Sequence, residues 1–160
     1  MTEEEFTRRI MAMRNRLYHV GRAMLWNDED AADAVQEAML AAWKQRRALR
    51  DEDKFEAWFM RVFINRCRDM RRGQIRRREA REDAVRRYEE AAPEPGDASA
   101  ALDALPDRLR LPAVLFYVEG YSQKEVARLL GLEPEQVNTR LRQARGRLRR
   151  ALAEGGDRDE

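Results

Sequence analysis

The chain has 160 residues, of which 39% are charged and 43% are hydrophobic, and its formal net charge is +2. That length suits one ordinary domain or two small ones. The single cysteine, Cys67, excludes an internal disulfide and suits a reducing cytoplasm. No apolar run is long enough to span a membrane, and the N-terminus lacks the apolar segment of a secretory signal. We therefore expect a soluble cytoplasmic protein without membrane insertion.

The N-terminal part is predicted to form three helices, because apolar residues recur at steps of three and four. The first is marked by apolar residues from Phe6 to Met24. The second begins after the acidic run "NDED", where carboxylates favour a helix start. The third carries four aromatic residues at helical spacing, which we interpret as core: Phe55, Trp58, Phe59 and Phe63. No segment alternates with period two for long, so the chain is predicted to be all-α.

Composition changes between Tyr88 and Asp107, where six acids occur without a base. The Pro, Gly and Ser residues of "APEPGDASA" cannot form a core. We therefore predict two small helical domains, at residues 1–80 and 101–154. A charged, flexible linker at 81–100 joins them, and a disordered tail follows at 155–160.

The C-terminal block contains the pattern of a helix-turn-helix unit. Ser122 and Glu125 have the spacing of a capping box, which predicts the start of a short helix. Gly131 can adopt the positive φ that ends this helix. Pro134 suits the first turn of the next one.

This next helix separates an apolar seam from a basic face. The seam consists of Val137, Leu141, Ala144 and Leu148. Polar groups occupy the opposite side and its flanks: Asn138, Thr139, Arg142, Gln143, Arg145 and Arg149. Amide and guanidinium groups can read adenine and guanine edges in the major groove, and further arginines can neutralise phosphates. The helix is thus a candidate DNA reader, and a merely solvated basic helix is the alternative.

Charge is segregated along the N-terminal block. "NDEDAADAVQEA" holds five acids and no base, whereas Arg61–Arg87 holds eleven arginines against four acids. Basic groups beside aromatic residues can follow a single strand of nucleic acid. Because the aromatic residues are interpreted as core, Asn65 and the loop "RRALRDED" are the better candidates for catching an extruded base.

Three segments, in this order and spacing, resemble bacterial RNA polymerase sigma factors. They are "DEDAADAVQEAMLAAW", "FEAWFMRVFINRCRD" and "LPDRLRLPAVLFYVEGYSQKEVARLLGLEPEQVNTRLRQARGRL". The resemblance is to the extracytoplasmic-function (group four) type of the sigma-70 family and covers Phe6 to Leu152. It implies an N-terminal region-2 helical bundle, a C-terminal region-4 helix-turn-helix domain, and promoter DNA and core RNA polymerase as partners. Many relatives also bind an anti-sigma factor.

The resemblance also implies three sets of site residues. The set expected to dock on the clamp helices of the largest polymerase subunit is Asp33, Gln36, Glu37 and Leu40. The set expected at the melted −10 element is Leu49, Arg61, Asn65 and Arg66. The set expected at the duplex −35 element is Asn138, Thr139, Arg140, Arg142, Gln143, Arg145 and Arg149.

Two positions depart from an ordinary helical pattern. Glu133 stands where a Ser or Thr cap is usual before the recognition helix. Its carboxylate suits the helix dipole but would sit near phosphates, so a close backbone contact with phosphate at this end is in question. Pro112 lies inside a predicted helix and should kink it, unless the helix begins there.

An enzyme is disfavoured by the residues present. The only histidine is His19, and no Cys/His cluster, phosphate-binding glycine loop or nucleophile–base pair occurs. We therefore expect no catalytic residue, metal or cofactor. The main alternative function is a stand-alone helix-turn-helix regulator that binds duplex DNA without docking on polymerase.

Overall fold

The computed structural model describes residues 1–85 and 98–158, with the side chains of 1–81 and 99–153. The chain divides into two compact units, Met1–Ile75 and Arg76–Glu160. All regular elements among the described residues are helical, so the predicted all-α, two-domain fold is confirmed. The central part of the predicted linker, 86–97, and the last two residues of the predicted tail lie outside the described residues. The predicted disorder is wrong for 155–158, and the predicted linker bounds are too wide, because 81–85, 98–100 and 155–158 are helical. No described helix combines the length and the apolarity needed to cross a membrane.

The N-terminal unit begins with three helices and continues through two short 3-10 turns into a long fourth helix. These elements are α1 (Glu3–Ala12), α2 (Arg14–Leu25), α3 (Asp28–Lys44), the turns Arg46–Ala48 and Glu52–Lys54, and α4 (Phe55–Val85). The predicted start of α3 is confirmed, because the side chain of Asn27 accepts hydrogen bonds from the amides of Glu29 and Asp30.

The single helix predicted from Phe6 to Met24 is wrong, because the structure interrupts it at Met13. Met13 has φ −90° and ψ 2°, and its amide donates to the carbonyl of Ile10. Met13 is nevertheless buried, like Ile10 before it and Leu17 after it. The apolar periodicity therefore continues across the break and conceals it from the sequence pattern.

Close packing of small residues brings α2 and α3 together. Four alanines of α3 are completely buried: Ala31, Ala34, Ala38 and Ala42. A methyl group added at Gly21 would lie 3.0 Å from Cβ of Ala31 and 3.1 Å from Cζ of Phe63. At position 21, α2 therefore has no room for a side chain larger than that of glycine.

The aromatic residues of α4 are core, as predicted, with one exception. Phe55, Phe59 and Phe63 are fully buried, whereas Trp58 is half-buried. Cys67 continues the buried face, and burial raises the pKa of its thiol to about 12. A thiol in this state is chemically inert at neutral pH.

The C-terminal unit contains the predicted helix-turn-helix. Its elements are α5 (Ala98–Asp103), α6 (Asp107–Ala113), a π-helical segment (Val114–Val118), α7 (Gln123–Leu130) and α8 (Pro134–Arg158). The capping box is present, since Ser122 Oγ accepts from the amide of Glu125 and Glu125 Oε1 accepts from that of Ser122, both at 3.1 Å. Gly131 ends α7 with φ 67°, and α8 begins at Pro134, as predicted.

Two residues of α6, Arg110 and Pro112, shape the segment that precedes the helix-turn-helix. Pro112 lies inside α6, which begins five residues earlier, and the chain enters π geometry directly after it. Proline has no amide hydrogen, so the helical hydrogen bond to the Arg108 carbonyl cannot form there. Arg110 is buried, donates to the carbonyl of Leu105 at 2.6 Å and pairs with the carboxylate of Asp107. These contacts fix the turn between α5 and α6.

Candidate polymerase and nucleic-acid interfaces

The four residues predicted to dock on polymerase share one exposed face of α3, opposite the buried alanines. We call this set, Asp33, Gln36, Glu37 and Leu40, the docking face. Their spacing of three and four residues aligns them along the helix. All four are exposed, and Leu40 retains 64% of its accessible surface. An exposed leucine among acids is the composition of a protein contact surface rather than of a DNA contact surface.

One residue of the docking face is paired with a residue predicted to bind the −10 element. Arg66 of α4 forms an ion pair and hydrogen bond with Glu37, and both side chains are half-exposed. The hydrogen bond to Glu37 raises the pKa of Arg66, against the opposing effect of desolvation. The structure thus brings together two residues that the sequence assigned to different partners, 29 positions apart.

Leu49 lines a cavity of about 270 Å³ in the N-terminal unit. The cavity walls also include the aromatic rings of Phe6, Trp43, Phe55 and Trp58. Phe6 and Phe55 are buried, so the half-buried rings of Trp43 and Trp58 are the ones on which a nucleobase could stack.

Two arginines add positive charge to this cavity. Arg46 and Arg47 both line it, and the guanidinium carbon of Arg46 lies 4.0 Å from the centre of the Trp43 ring. Arg46 also donates to the carbonyl of Trp43 at 2.7 Å. A cavity with aromatic walls and basic side chains at its edge suits a base attached to a phosphate backbone.

Arg9 of α1 holds the loop that follows α3 against the start of α4. Its Nη2 donates to the carbonyl of Glu52 at 2.7 Å and to Glu56 Oε1 at 3.1 Å. Its guanidinium also lies 4.7 Å from the ring centre of Phe55. Arg9 was not among the predicted site residues, and no local motif marks it, because its partners lie more than 40 positions away.

Arg61 and Asn65 are exposed on α4, and their spacing puts them on the same face of the helix as Trp58. We call Trp58, Arg61 and Asn65 the α4 stripe. Since an α-helix rises 1.5 Å per residue, the stripe extends about 10 Å from the cavity. Trp58 thus belongs both to the cavity that Leu49 lines and to the face of α4 that carries Arg61 and Asn65, whereas Arg66 is paired with Glu37 of the docking face.

The polar face of α8 has the orientation that the sequence predicts. Val137, Leu141 and Ala144 are fully buried, and Leu148 packs partly against the core. Six predicted −35 residues are exposed: Asn138, Thr139, Arg142, Gln143, Arg145 and Arg149. Arg140, the seventh, is half-buried.

Two of these side chains are held by residues outside α8. Nη1 of Arg108, in α6, donates to Oε1 of Gln143 at 2.9 Å. Nε of Arg145 donates to the hydroxyl of Tyr117, in the π-helical segment, at 3.0 Å. Neither Arg108 nor Tyr117 was predicted as a site residue, because pairing across about thirty positions leaves no signal in one sequence.

The start of α8 is capped by a glutamine side chain. Gln136 Oε1 accepts from the amide of Glu133 at 2.9 Å. The hydroxyl of Thr139 donates to the carbonyl of Glu135 at 3.0 Å, which leaves its oxygen as an acceptor. The Glu133 amide is therefore already occupied at the position where the sequence left a close backbone contact with phosphate in question.

Comparison with known proteins agrees with these features. The family model for Sigma-70 region 2 matches residues 10–78, and that for Sigma-70 region 4 matches residues 97–148. The ECF RNA polymerase sigma factor SigE of Mycolicibacterium smegmatis is 33% identical over 150 residues, which are 87% of this chain and 58% of SigE. The ECF RNA polymerase sigma factor SigM of Mycobacterium tuberculosis is 32% identical over 139 residues, covering 85% of this chain and 71% of SigM.

The chain thus spans less than two thirds of SigE but more than two thirds of SigM. Among solved structures, it resembles CnrH in complex with the cytosolic domain of CnrY, with a TM-score of 0.71 and 28% identity. This match covers 96% of this chain and 90% of CnrH. Two region models in the expected order, together with the identity to SigM, show that the chain belongs to the extracytoplasmic-function group of the sigma-70 family.

Proposed function

We propose that this protein binds core RNA polymerase and directs it to specific promoters, reading the −35 element as duplex and the −10 element as melted strand. The observation that supports this most strongly is the presence in one chain of two surfaces whose chemistry suits two different forms of nucleic acid. One is the exposed polar face of α8 within a helix-turn-helix, and the other is an aromatic cavity continued by the α4 stripe. A protein that binds only duplex DNA has no use for the second surface.

In the proposed −35 contact, the N-terminal half of α8 enters the major groove. Side chains near the start of a recognition helix contact base edges in helix-turn-helix proteins. Asn138, Arg142 and Gln143 supply amide and guanidinium groups for this purpose. Arg145 and Arg149 lie further along the same helix, where they would neutralise phosphates and set the register.

In the proposed −10 contact, an extruded base enters the cavity beside Leu49. Taking a base out of the stack costs a few kcal/mol, which the cavity must recover. Stacking on an aromatic ring contributes about 1–3 kcal/mol per base, so contact with Trp43 or Trp58 is of sufficient size. Arg61 and Asn65 would hold the strand that continues along α4.

In the proposed polymerase contact, the docking face binds the clamp helices of the largest subunit. The acids of this face would be repelled by DNA, and they therefore favour a protein partner. Leu40 adds an apolar group that loses its contact with water on binding.

The proposed role is that of a non-catalytic initiation factor acting in the cytoplasm. An anti-sigma factor is a further proposed partner, because many relatives bind one. The similar protein CnrH was likewise solved in complex with another protein, the cytosolic domain of CnrY. A stand-alone DNA-binding regulator is the alternative function, and it differs in needing neither the docking face nor the cavity.

Reconstitution distinguishes these two functions. The purified chain is combined with core RNA polymerase of its own host, and transcripts are collected from fragmented genomic DNA. We expect new transcript starts that core enzyme alone does not produce. These starts should share a −10 and a −35 sequence element upstream. Duplex binding by the chain without any new transcript would favour the stand-alone regulator and contradict the proposal.

A further inference from the structure

We propose that Arg108 determines base specificity in the −35 contact by turning Gln143 into a hydrogen-bond donor. Together the two side chains present mainly donors, and this favours guanine over adenine at the base that Gln143 faces. The inference rests on the proposed −35 contact and adds to it a residue of α6, outside the recognition helix.

The orientation of the Gln143 amide follows from the chemistry of its partner. The oxygen and nitrogen of a glutamine side chain have similar shapes, so their assignment depends on the hydrogen bonds they make. A guanidinium has five N–H donors and no acceptor. The amide atom 2.9 Å from Nη1 of Arg108 must therefore be the oxygen. Nε2 of Gln143 is then left with two hydrogens for another partner.

This orientation is unfavourable for reading adenine. A glutamine reads adenine with two bonds, in which its oxygen accepts from N6 and its nitrogen donates to N7. At Gln143, the oxygen already accepts from a positively charged donor, and the N6 amino group would be a second donor competing for it. The oxygen keeps a second lone pair, but a carbonyl that already accepts from a cation is a weaker acceptor, and N6 would also face the remaining N–H donors of Arg108. Adenine is therefore read less well in this way.

The same orientation is favourable for guanine. Guanine presents two neighbouring acceptors in the major groove, N7 and O6, whereas thymine presents one. Nε2 of Gln143 and the remaining N–H groups of Arg108 are both donors, so the pair matches two acceptors at once.

The surroundings of the pair offer acceptors as well as donors. Arg108 and Gln143 line a groove of about 360 Å³, to which Glu135, Gln136, Thr139 and Arg140 also contribute. The carboxylate of Glu135 repels phosphate, while it can accept from N4 of cytosine, the partner base of guanine. The hydroxyl of Thr139 donates to the Glu135 carbonyl and so also presents an acceptor. The groove therefore offers both donors and acceptors, as a G·C pair requires.

The contact is modest in the free protein and gains strength on DNA. Both side chains are exposed, so water competes for the hydrogen bond in the unbound state. Binding in the major groove removes much of this water, and the hydrogen bond becomes stronger in the drier surroundings.

The test measures base preference with the complete holoenzyme. The chain with core polymerase is equilibrated with promoter duplexes randomised over the −35 segment, and bound and free pools are sequenced. The same experiment is run with Arg108→Ala and Gln143→Ala. Arg147→Ala, which removes an exposed arginine of α8 that does not line this groove, is the control for loss of positive charge.

For the wild type, we expect one position at which guanine is preferred over adenine by about 5- to 150-fold, the range of a good two-bond contact. Arg108→Ala should raise adenine to at least the level of guanine at that position alone. Gln143→Ala should abolish the preference there, and Arg147→Ala should leave it unchanged.

Three results would overturn the inference. They are a wild-type preference for adenine at the Gln143 position, an unchanged guanine preference in Arg108→Ala, and an equal weakening of all sequences by Arg108→Ala. The last would make Arg108 a phosphate contact. None of these results affects promoter-dependent transcription as such, so the proposed function is tested separately by the appearance of new transcripts.

Discussion

In α8, the side chains proposed to contact DNA lie on the outside of a single helix, and two of them are held by neighbours in α6 and in the π-helical segment. In the N-terminal unit, the corresponding side chains are divided between an aromatic cavity and an exposed stripe of α4. The difference follows from the form of the DNA. A duplex displays base edges at its surface, so a convex helix can reach them. An unstacked base needs a concave site that surrounds its faces.

The two units also differ in what else their DNA surfaces touch. In the C-terminal unit, the supporting contacts come from elements with no other proposed role. In the N-terminal unit, Arg66, which was predicted to bind the −10 element, pairs with Glu37 of the docking face. The proposed polymerase and strand contacts therefore share a pair of residues, whereas the proposed duplex contact lies in the other unit.

The largest expected effect tests whether polymerase docking is separate from duplex binding. Replacing Asp33 and Glu37 by arginine reverses the charge of the docking face, and like charges across an interface cost several kcal/mol. We expect affinity for core polymerase to fall by at least about 100-fold. Duplex binding by the C-terminal unit should stay unchanged. Titration of labelled core enzyme measures the first quantity, and gel shift of a −35 duplex measures the second.

A control is needed, because the double reversal also breaks the pair with Arg66. Arg66→Ala breaks the same pair and leaves the charge of the docking face in place. Exposed ion pairs contribute about 1 kcal/mol or less, so we expect a small effect on polymerase affinity. Equal losses in both variants would show that the ion pair, and not the docking face, supports binding.

The next largest effect concerns strand capture. Asn65→Ala or Leu49→Asp should lower open-complex formation about 10- to 100-fold, since a held base recovers a few kcal/mol of unstacking. Binding to core polymerase and to −35 duplex should be unchanged. Permanganate reactivity of unpaired thymines near the −10 element reports the opening directly. Asn138→Ala is the matched control in α8, and it should weaken duplex binding without impairing the opening of complexes already bound.

A smaller effect concerns the packing that supports each surface. Gly21→Val places carbon 3.0 Å from Cβ of Ala31, and overpacking of this kind costs about 1–3 kcal/mol of unfolding free energy. Gly146→Ala in α8 meets nothing within 4 Å, and it should instead stabilise by up to about 1 kcal/mol through helix propensity. Denaturant unfolding followed by circular dichroism measures both. A Gly21→Val protein as stable as the wild type would contradict the close approach of α2 and α3.

The smallest effect separates the two kinds of contact within α8. Arg149→Ala should weaken binding to all duplexes by a similar, few-fold factor. It should also reduce the slope of log affinity against log salt by about 0.9, the value for one phosphate contact. Gln143→Ala should change base preference and leave this slope almost unchanged. A sequence-dependent loss in Arg149→Ala would instead place that residue at a base.

Much of the fold could be predicted from the sequence, because its determinants are local. The capping box at Ser122, the positive φ of Gly131 and the buried side of α8 each depend on residues within one or two helical turns. The interruption at Met13 could not be predicted, because the buried residues keep their helical spacing across it. A kink was predicted at Pro112. The structure instead shows α6 passing into a π-helical segment just after this residue.

The candidate site was predictable as a set of exposed residues but not as a set of contacts. The pairs Glu37–Arg66 and Arg108–Gln143 join positions about thirty residues apart. Such pairs depend on how helices pack against each other, which neither helical periodicity nor residue type specifies. The cavity beside Leu49 has the same origin, because its walls come from three helices and the loop between two of them.

All three tryptophans, Trp26, Trp43 and Trp58, belong to the N-terminal unit, and two of them line the cavity. Intrinsic tryptophan emission is therefore a signal from one half of the protein. A base that stacks on Trp43 or Trp58 should quench it, while duplex bound to the tryptophan-free C-terminal unit should leave it nearly constant. The unlabelled protein thus contains an optical probe that separates capture of the melted strand from recognition of the closed promoter.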